Sequence, residues 1–419
     1  MSSPSPPSRP SRPSRPSPVS PPTRPSSPAP LSFQAYCRDL FRELARSDQR
    51  RWGEVYLRGL LSVPGRKTPT RISEHVLGRP AVQQLQQFVH QSPWDCGPVR
   101  RRTALRLADA FETEAWSVDE VVFVKNGDRS VGVARQYAPS QERTVNCQLA
   151  CAVSLVGAGG GLPVNWRLLL PPRWDRDERL REAAHVPAHE QSRPRWQSVL
   201  EAVDEMTEEW LLDPRPVLAD WRHETETEPL LHGLEARGLG YLVQVSPRTA
   251  VTMPRPHSAL PAVRGTVTDL AAHVARRSER TPVSWQDRVT ERRYRSQFLS
   301  TPALLCAAPT GGRAVPAHRQ SPRHLVTDWP FGRPEPRAYW LTNLPARRLA
   351  EALPLAQLRS LADTGLRRLH EDFGLGDFEG RSFRGWHHHV TLASAALGYA
   401  TLRQAAVRRP ERVLSGSAV

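Results

Sequence analysis

Lysine is almost missing from this chain. Of its 58 basic residues only Lys67 and Lys125 are lysines, and the rest are arginines. Cysteine is scarce as well: Cys37, Cys96, Cys147, Cys151 and Cys306, an odd number at loose spacing, which excludes a disulfide framework. Cys147 and Cys151 suggest a metal pair, but no second pair or nearby histidine completes four ligands, so a structural zinc site is excluded too. The cysteines read as reduced and structural, which implies a cytosolic home. No apolar run approaches the ~20 residues that a membrane helix needs. The best stretch, from Leu149 to Leu162, is short and contains a glycine run. The N-terminus is serine, proline and arginine without an apolar stretch, so no secretory signal is expected.

What the chain does have is positive charge, a formal +16 across 419 residues, with 39% hydrophobic residues to build a core. Arginine suits phosphates because its planar fork presents several donors at once. A basic balance therefore suggests a polyanion partner, while a GC-rich genome would produce the same bias. The length allows two or three domains.

Composition and period divide the chain. Residues 1–30 repeat Ser-Arg-Pro and carry almost nothing to bury, a Ser/Pro/Arg tail expected to be disordered. Residues 31–114 are helical by period, with Phe33, Tyr36, Leu40 and Leu44 recurring at helical spacing and an arginine-rich helix from Val99 to Phe111. This region reads as an all-α, DNA-binding N-terminal domain. At Trp116 the period changes. Val118 to Val124, Ser130 to Tyr137 and Val145 to Leu155 read as a three-strand meander, turning first at Asn126-Gly127-Asp128. A helix from Trp196 to Leu211 follows, then a short buried strand, Pro216 to Asp220, a helix from Leu230 to Arg237 and a strand from Tyr241 to Val245. That alternation predicts an α/β core over 115–245. Residues 246–345 read as a β-rich insertion, with short runs at Ala303 to Ala308, Leu325 to Thr327 and Tyr339 to Thr342. Helices return over 346–405, ahead of a tail at 406–419.

Several stretches carry a resemblance. Ser130-Val131-Gly132-Val133-Ala134-Arg135-Gln136-Tyr137 is followed by Asn146-Cys147-Gln148, and Asp377-Phe378-Glu379-Gly380-Arg381-Ser382 by Gly385-Trp386-His387-His388-His389. Ser92-Pro93-Trp94-Asp95 and Tyr339-Trp340-Leu341-Thr342-Asn343-Leu344 add to them. Over about residues 55 to 405, the chain resembles bacterial insertion-sequence transposases of the cut-and-paste DDE type. The resemblance implies an RNase H-like mixed sheet flanked by helices and interrupted by a β-strand insertion. It implies cleavage of transposon ends and strand transfer into double-stranded target DNA, by a homodimer assembled on DNA, in the bacterial cytoplasm near the nucleoid. It also implies two divalent ions, Mg²⁺ or Mn²⁺, held by three carboxylates. Hard ions want oxygen ligands, and two of them ~4 Å apart stabilise the attacking and leaving oxygens.

Residue by residue, the family's first acid falls on Glu120, with Asp119 on the acid before it; adjacent strand residues face opposite sides. The second falls on Asp220. The third, within a Tyr-x2-Arg-x3-Glu-x6-Lys signature, falls on Asp363, with Arg359 on the Arg and His370 on the Lys, while Ala356 takes the Tyr position. Positions 359, 363 and 370 share one helical face. Arg135 and Arg381 join Arg359 and His370 as expected DNA contacts. Glu for Asp at 120 and Asp for Glu at 363 each move a carboxylate by about a methylene, and a shift near 1 Å costs ~100-fold in rate. An attenuated enzyme and a catalytically inactive DNA-binding regulator or inhibitor both fit that pattern. His387, His388 and His389 point ~100° apart on a helix and cannot all ligate one metal. Gly157 to Gly161 reads as a turn, and Trp329 and Trp340 as core.

Overall fold

The computed structural model describes residues 32–253, 263–305 and 323–414. The Ser/Pro/Arg tail up to residue 30, Cys306 and the second half of the strand expected at 303–308 lie outside the described residues.

Five helices come first: α1 (Phe33–Leu40), α2 (Ser47–Ser62), α3 (Pro69–Leu77), α4 (Val82–Gln86) and α5 (Gly97–Ala110). Their ends follow local chemistry. Ser32 and Thr68 cap α1 and α3 by accepting from backbone N–H groups, and Gly78 closes α3 in the left-handed conformation. The strands expected as a meander follow as β1 (Thr113–Val124), β2 (Ala134–Ala138), β3 (Arg143–Gly157) and β4 (Gly160–Leu169), but β1 pairs with β3 and not with β2, so the first two form no hairpin at Asn126-Gly127-Asp128. β4 goes beyond the three strands expected. Gly161 to Trp166 is buried without a break, so no alternation marks the strand.

Two short helices, α6 (Arg173–Arg176) and α7 (Glu178–Ala183), lead to α8 (Arg195–Asp204), β5 (Val217–Asp220), α9 (Thr227–Ala236) and β6 (Tyr241–Val245). The region read as an insertion holds β7 (Ala250–Met253), β8 (Val263–Thr266), α10 (Val267–Ala275), β9 (Thr281–Gln286), β10 (Arg293–Pro302), β11 (Leu304–Leu305), β12 (His324–Trp329) and β13 (Ala338–Thr342). The described chain closes with α11 (Ala352–Gln357), α12 (Arg359–Glu371) and α13 (Phe383–Leu414).

Most strands join one mixed sheet in the order β2-β3-β1-β5-β6-β13-β12-β10-β9, with β4 on β3. β5 runs parallel to β1 and β6, and the other pairs in this sheet are antiparallel. The insertion is largely an extension of the core sheet, because β13 pairs directly with β6. Among the described residues, only β7, β8 and β11 form a separate small sheet. This is the helix-flanked mixed sheet that the resemblance implies, and it is RNase H-like.

Two glycines fix the seat of α12. A Cβ at Gly365 would collide with the Gly161 carbonyl of β4, and one at Gly161 with the backbone of Leu361. Their lack of side chains lets helix and strand backbones touch, which holds α12 against the sheet. α13 is equally committed. His387 receives a hydrogen bond from Arg100 at 2.8 Å, and the ring nitrogens of His388 meet the backbone carbonyls of Val89 and Trp94. His389 bridges the Tyr56 hydroxyl and the Gly374 carbonyl. Burial pushes His388 and His389 down to about 4. The three histidines thus dock α13 on its neighbours, and Trp329 and Trp340 are buried. No described helix is long and apolar enough to cross a membrane.

Candidate active site

Three elements build the site. β1 runs parallel to β5, with Trp116 beside Val217, Ser117 beside Leu218 and Val118 beside Ala219. Continuing that register puts Asp119 level with Asp220 at the end of β5, on the same face of the sheet. α12 contributes Arg359 at its start and Asp363 one turn later.

Asp119 is only 4% exposed. It accepts from the Ser117 hydroxyl at 2.8 Å and from Arg359 Nη2 at 2.8 Å. The same guanidinium reaches toward Asp220, with Nη1 3.7 Å from Oδ2. Arg359 therefore links the two strand carboxylates. Arg222 also grips Asp220, through Nε at 3.0 Å and Nη2 at 2.6 Å. Burial pushes the Asp220 carboxyl up, but the Arg222 hydrogen bonds and the Arg359 charge outweigh it and hold the group below its ordinary range. Asp363 behaves the other way. Solvent reaches the residue, yet the surrounding protein pushes its carboxyl up, and the charge of Asp119 adds to the rise against Arg359 and Arg367. Even with Arg359 present, Asp363 sits in a field that disfavours its negative charge.

Glu120 does not join this group, because β1 turns it to the opposite face. Its Oε2 lies 3.9 Å from Arg195 Nη1, and Arg195 pairs with Glu224 at 3.1 Å and stacks over Trp221 at 4.7 Å. Burial pushes the Glu120 carboxyl up, only partly opposed by Arg195. Glu120 Oε1 and Arg195 Nε are both buried without a hydrogen-bond partner. The three acids taken from the family pattern are thus divided. Asp119 and Asp220 meet at Arg359, whose charge also acts on Asp363, while Glu120 turns to Arg195 and is reached by Asp220 only through its charge. The physical reason is the two-residue period of a strand. Pairing with β5 and the seat of α12 decide which of the two neighbours faces inward, and nothing local in the sequence does.

The expected DNA contacts are spread more widely. Arg359 sits inside the acid cluster. His370, near the far end of α12, is exposed at the surface but lies 6.1 Å from the Phe123 ring, and desolvation by the surrounding protein pushes its pKa down. Arg135 on β2 and Arg381 ahead of α13 are exposed. Arg222 is a functional candidate that motif reasoning misses. Its position two residues after Asp220, where one side chain can return to the carboxylate, is the signal that could find it.

Chemically, the donors around Arg359 are all carboxylates, which suits a hard divalent cation. The upward push on Asp363 points the same way. As the side chains stand, no three His, Cys, Asp or Glu groups among the described residues converge closely enough to hold an ion, and the Arg359 cation already spans Asp119 and Asp220. Asp363 is a methylene shorter than the glutamate of the family signature.

An RNase H-like sheet with aspartates at the same level of two adjacent parallel strands, and a third on a helix packed against the sheet, defines a nuclease-type fold and site. The chain belongs to the DDE superfamily endonucleases, whose family model matches residues 39–300, more than half of its length. That match includes Asp119 and Asp220 and ends before Asp363, so the third acid rests on geometry and on the resemblance. No curated protein matches the sequence.

Proposed function

We propose that this endonuclease is a cut-and-paste DNA transposase of insertion-sequence type, with Asp119, Asp220 and Asp363 as its acidic triad. The observation that carries the reading is the meeting of Asp119 and Asp220 at one guanidinium of α12, the helix that also bears Asp363. The three carboxylates would hold Mg²⁺ or Mn²⁺. When bound, such ions activate water and stabilise charge on the attacking and leaving oxygens.

The remaining work falls to the chain's own groups. Arg359 stays charged, because the charges of Asp119, Asp220 and Asp363 and the hydrogen bond to Asp119 together outweigh its desolvation, and it places a cation beside the position of the scissile phosphate. Arg222 supplies a second, more exposed cation at Asp220. Water, and later the freed 3′ hydroxyl, forms a new bond to phosphorus while the opposite P–O bond breaks. Double-stranded DNA is the substrate, as transposon ends and as target, with two copies of the chain serving two ends.

One observation favours a second reading, a DNA-binding regulator that does not cut. Both strand acids are already satisfied by arginines, as a protein without need of a metal would arrange them. Nicking of supercoiled plasmid with Mg²⁺ or Mn²⁺ decides between the two. Cleavage by the wild type that Asp220→Asn abolishes supports the transposase. DNA binding without cleavage by the well-folded wild type supports the regulator.

A further inference from the structure

The stretch Ala134-Arg135-Gln136-Tyr137 makes up most of β2, and the acid cluster makes no use of it. β2 and β3 are joined by a tight turn at Pro139–Gln141 that packs near β1. Tyr137 is 49% exposed, one of few large hydrophobic side chains among the described residues left so open. Its ring stands 6.4 Å from that of His223, tilted by 57°. His223 is exposed too, and it follows Asp220 by three residues. Arg222, just before it, holds Asp220 through its guanidinium.

Two exposed rings at this separation are at the loose end of the ~4.5–7 Å range for aromatic pairs. They are not closed on each other as a packed pair, and each keeps area free for a flat partner. The surroundings select that partner. Arg222 and Arg359 are taken up by Asp220 and Asp119, so charge alone does not draw the partner; the rings stand beside the acids read above as the cutting site of a chain in a DNA-acting family, and every nucleobase offers a π-face to an aromatic ring. A base within a duplex already spends both faces on its neighbours in the stack, so only an unpaired one can lie on a ring. We infer that Tyr137 and His223 form a stacking platform for an unpaired base adjoining the phosphate presented to Asp119 and Asp220. The inference rests on the reading of those acids as the cutting site, and adds a subsite to it.

The test measures binding separately from cutting. The full chain is titrated, without divalent metal, into a blunt duplex and into a duplex with a short single-stranded overhang. The first unpaired position of the overhang carries 2-aminopurine. The wild type is expected to prefer the overhang and to change the fluorescence of the probe. Tyr137→Ala should lose between about fivefold and a hundredfold of overhang affinity, as for one stacked base, with blunt-duplex affinity unchanged. Tyr137→Phe should keep the preference, and His223→Ala should weaken it. An equal loss on both duplexes, or an overhang preference that survives Tyr137→Ala, overturns the platform. Plasmid nicking by Asp119→Asn is run alongside. Unimpaired nicking there overturns the assignment of the acids, whatever the binding of the Tyr137 variants shows.

Discussion

Asp119 and Glu120 are neighbours in sequence and equal in charge, yet they occupy opposite environments. On one face of β1, Asp119 has a hydroxyl and a guanidinium at 2.8 Å and shares that guanidinium with Asp220. On the other, Glu120 lies 3.9 Å from its nearest cation, and one of its oxygens is buried without a partner. The first is held by short, directed contacts. The second is a buried acid whose desolvation exceeds the help it receives, so its pKa is raised. Two acids in a row therefore do not make a two-acid site. The strand separates them, and the packing on each face gives them different chemistry.

The largest effect should come from neutralising the acids one at a time. In metal-dependent plasmid nicking, Asp119→Asn and Asp220→Asn should each lower the rate by about 100-fold or more, since misplacing one group alone costs that much. Glu120→Gln should stay within a few-fold of the wild type. The reverse ranking would return the first acid to Glu120 and break the comparison.

Removing the cation from each face should come next. Arg359→Met leaves Asp119 buried without its charge partner, and thermal or urea unfolding should show a loss of about 3 kcal/mol. Arg195→Met should cost less, about 1 kcal/mol, because Glu120 can take up a proton, which leaves the stacking on Trp221 and the pairing with the more exposed Glu224 as the losses. Equal losses would mean that the two pairs are equivalent.

The pH dependence sharpens the contrast on the Glu120 face. Glu120 has a folded pKa above its unfolded value, so its contribution is most favourable below about 4.5 and is lost as pH rises through the folded pKa. Glu120→Gln should therefore match the wild type near pH 4 and become more stable than it at pH 7. A variant less stable than wild type at pH 7 would show that the Arg195 pairing outweighs burial.

A smaller effect is expected from Asp363→Glu. The added methylene lengthens the reach of the α12 acid, and nicking should rise by a few-fold if the shorter side chain limits the site. No change, or a fall, would show that the pocket has adapted to aspartate. The companion change Glu120→Asp should add nothing, because that side chain faces Arg195.

The fold is readable to the extent that local pattern encodes it. The end of β1 ahead of Asn126-Gly127, the strand ending in Asp220 and the glycine stop after α9 all depend on neighbours a few residues apart, whereas the pairing of β1 with β3 instead of β2 does not. β4 escapes because a strand buried on both faces has no alternation to show. The merger of the insertion with the core sheet escapes because strand pairing is a long-range choice: β13 and β6 are far apart in sequence and meet through a backbone ladder that any sequence can make.

The sequence alone determines the basic, arginine-built character of the chain, the helical start, the α/β core and the resemblance to DDE transposases. That resemblance also singles out positions 119, 120, 220 and 363. Which of them meet is decided only by tertiary structure. Alternation along β1 requires Asp119 and Glu120 to part, but it does not say which face receives α12. That choice is made where Gly161 and Gly365 let two backbones touch, because the absence of a Cβ at both positions is what allows the helix bearing Arg359 and Asp363 to settle beside Asp119.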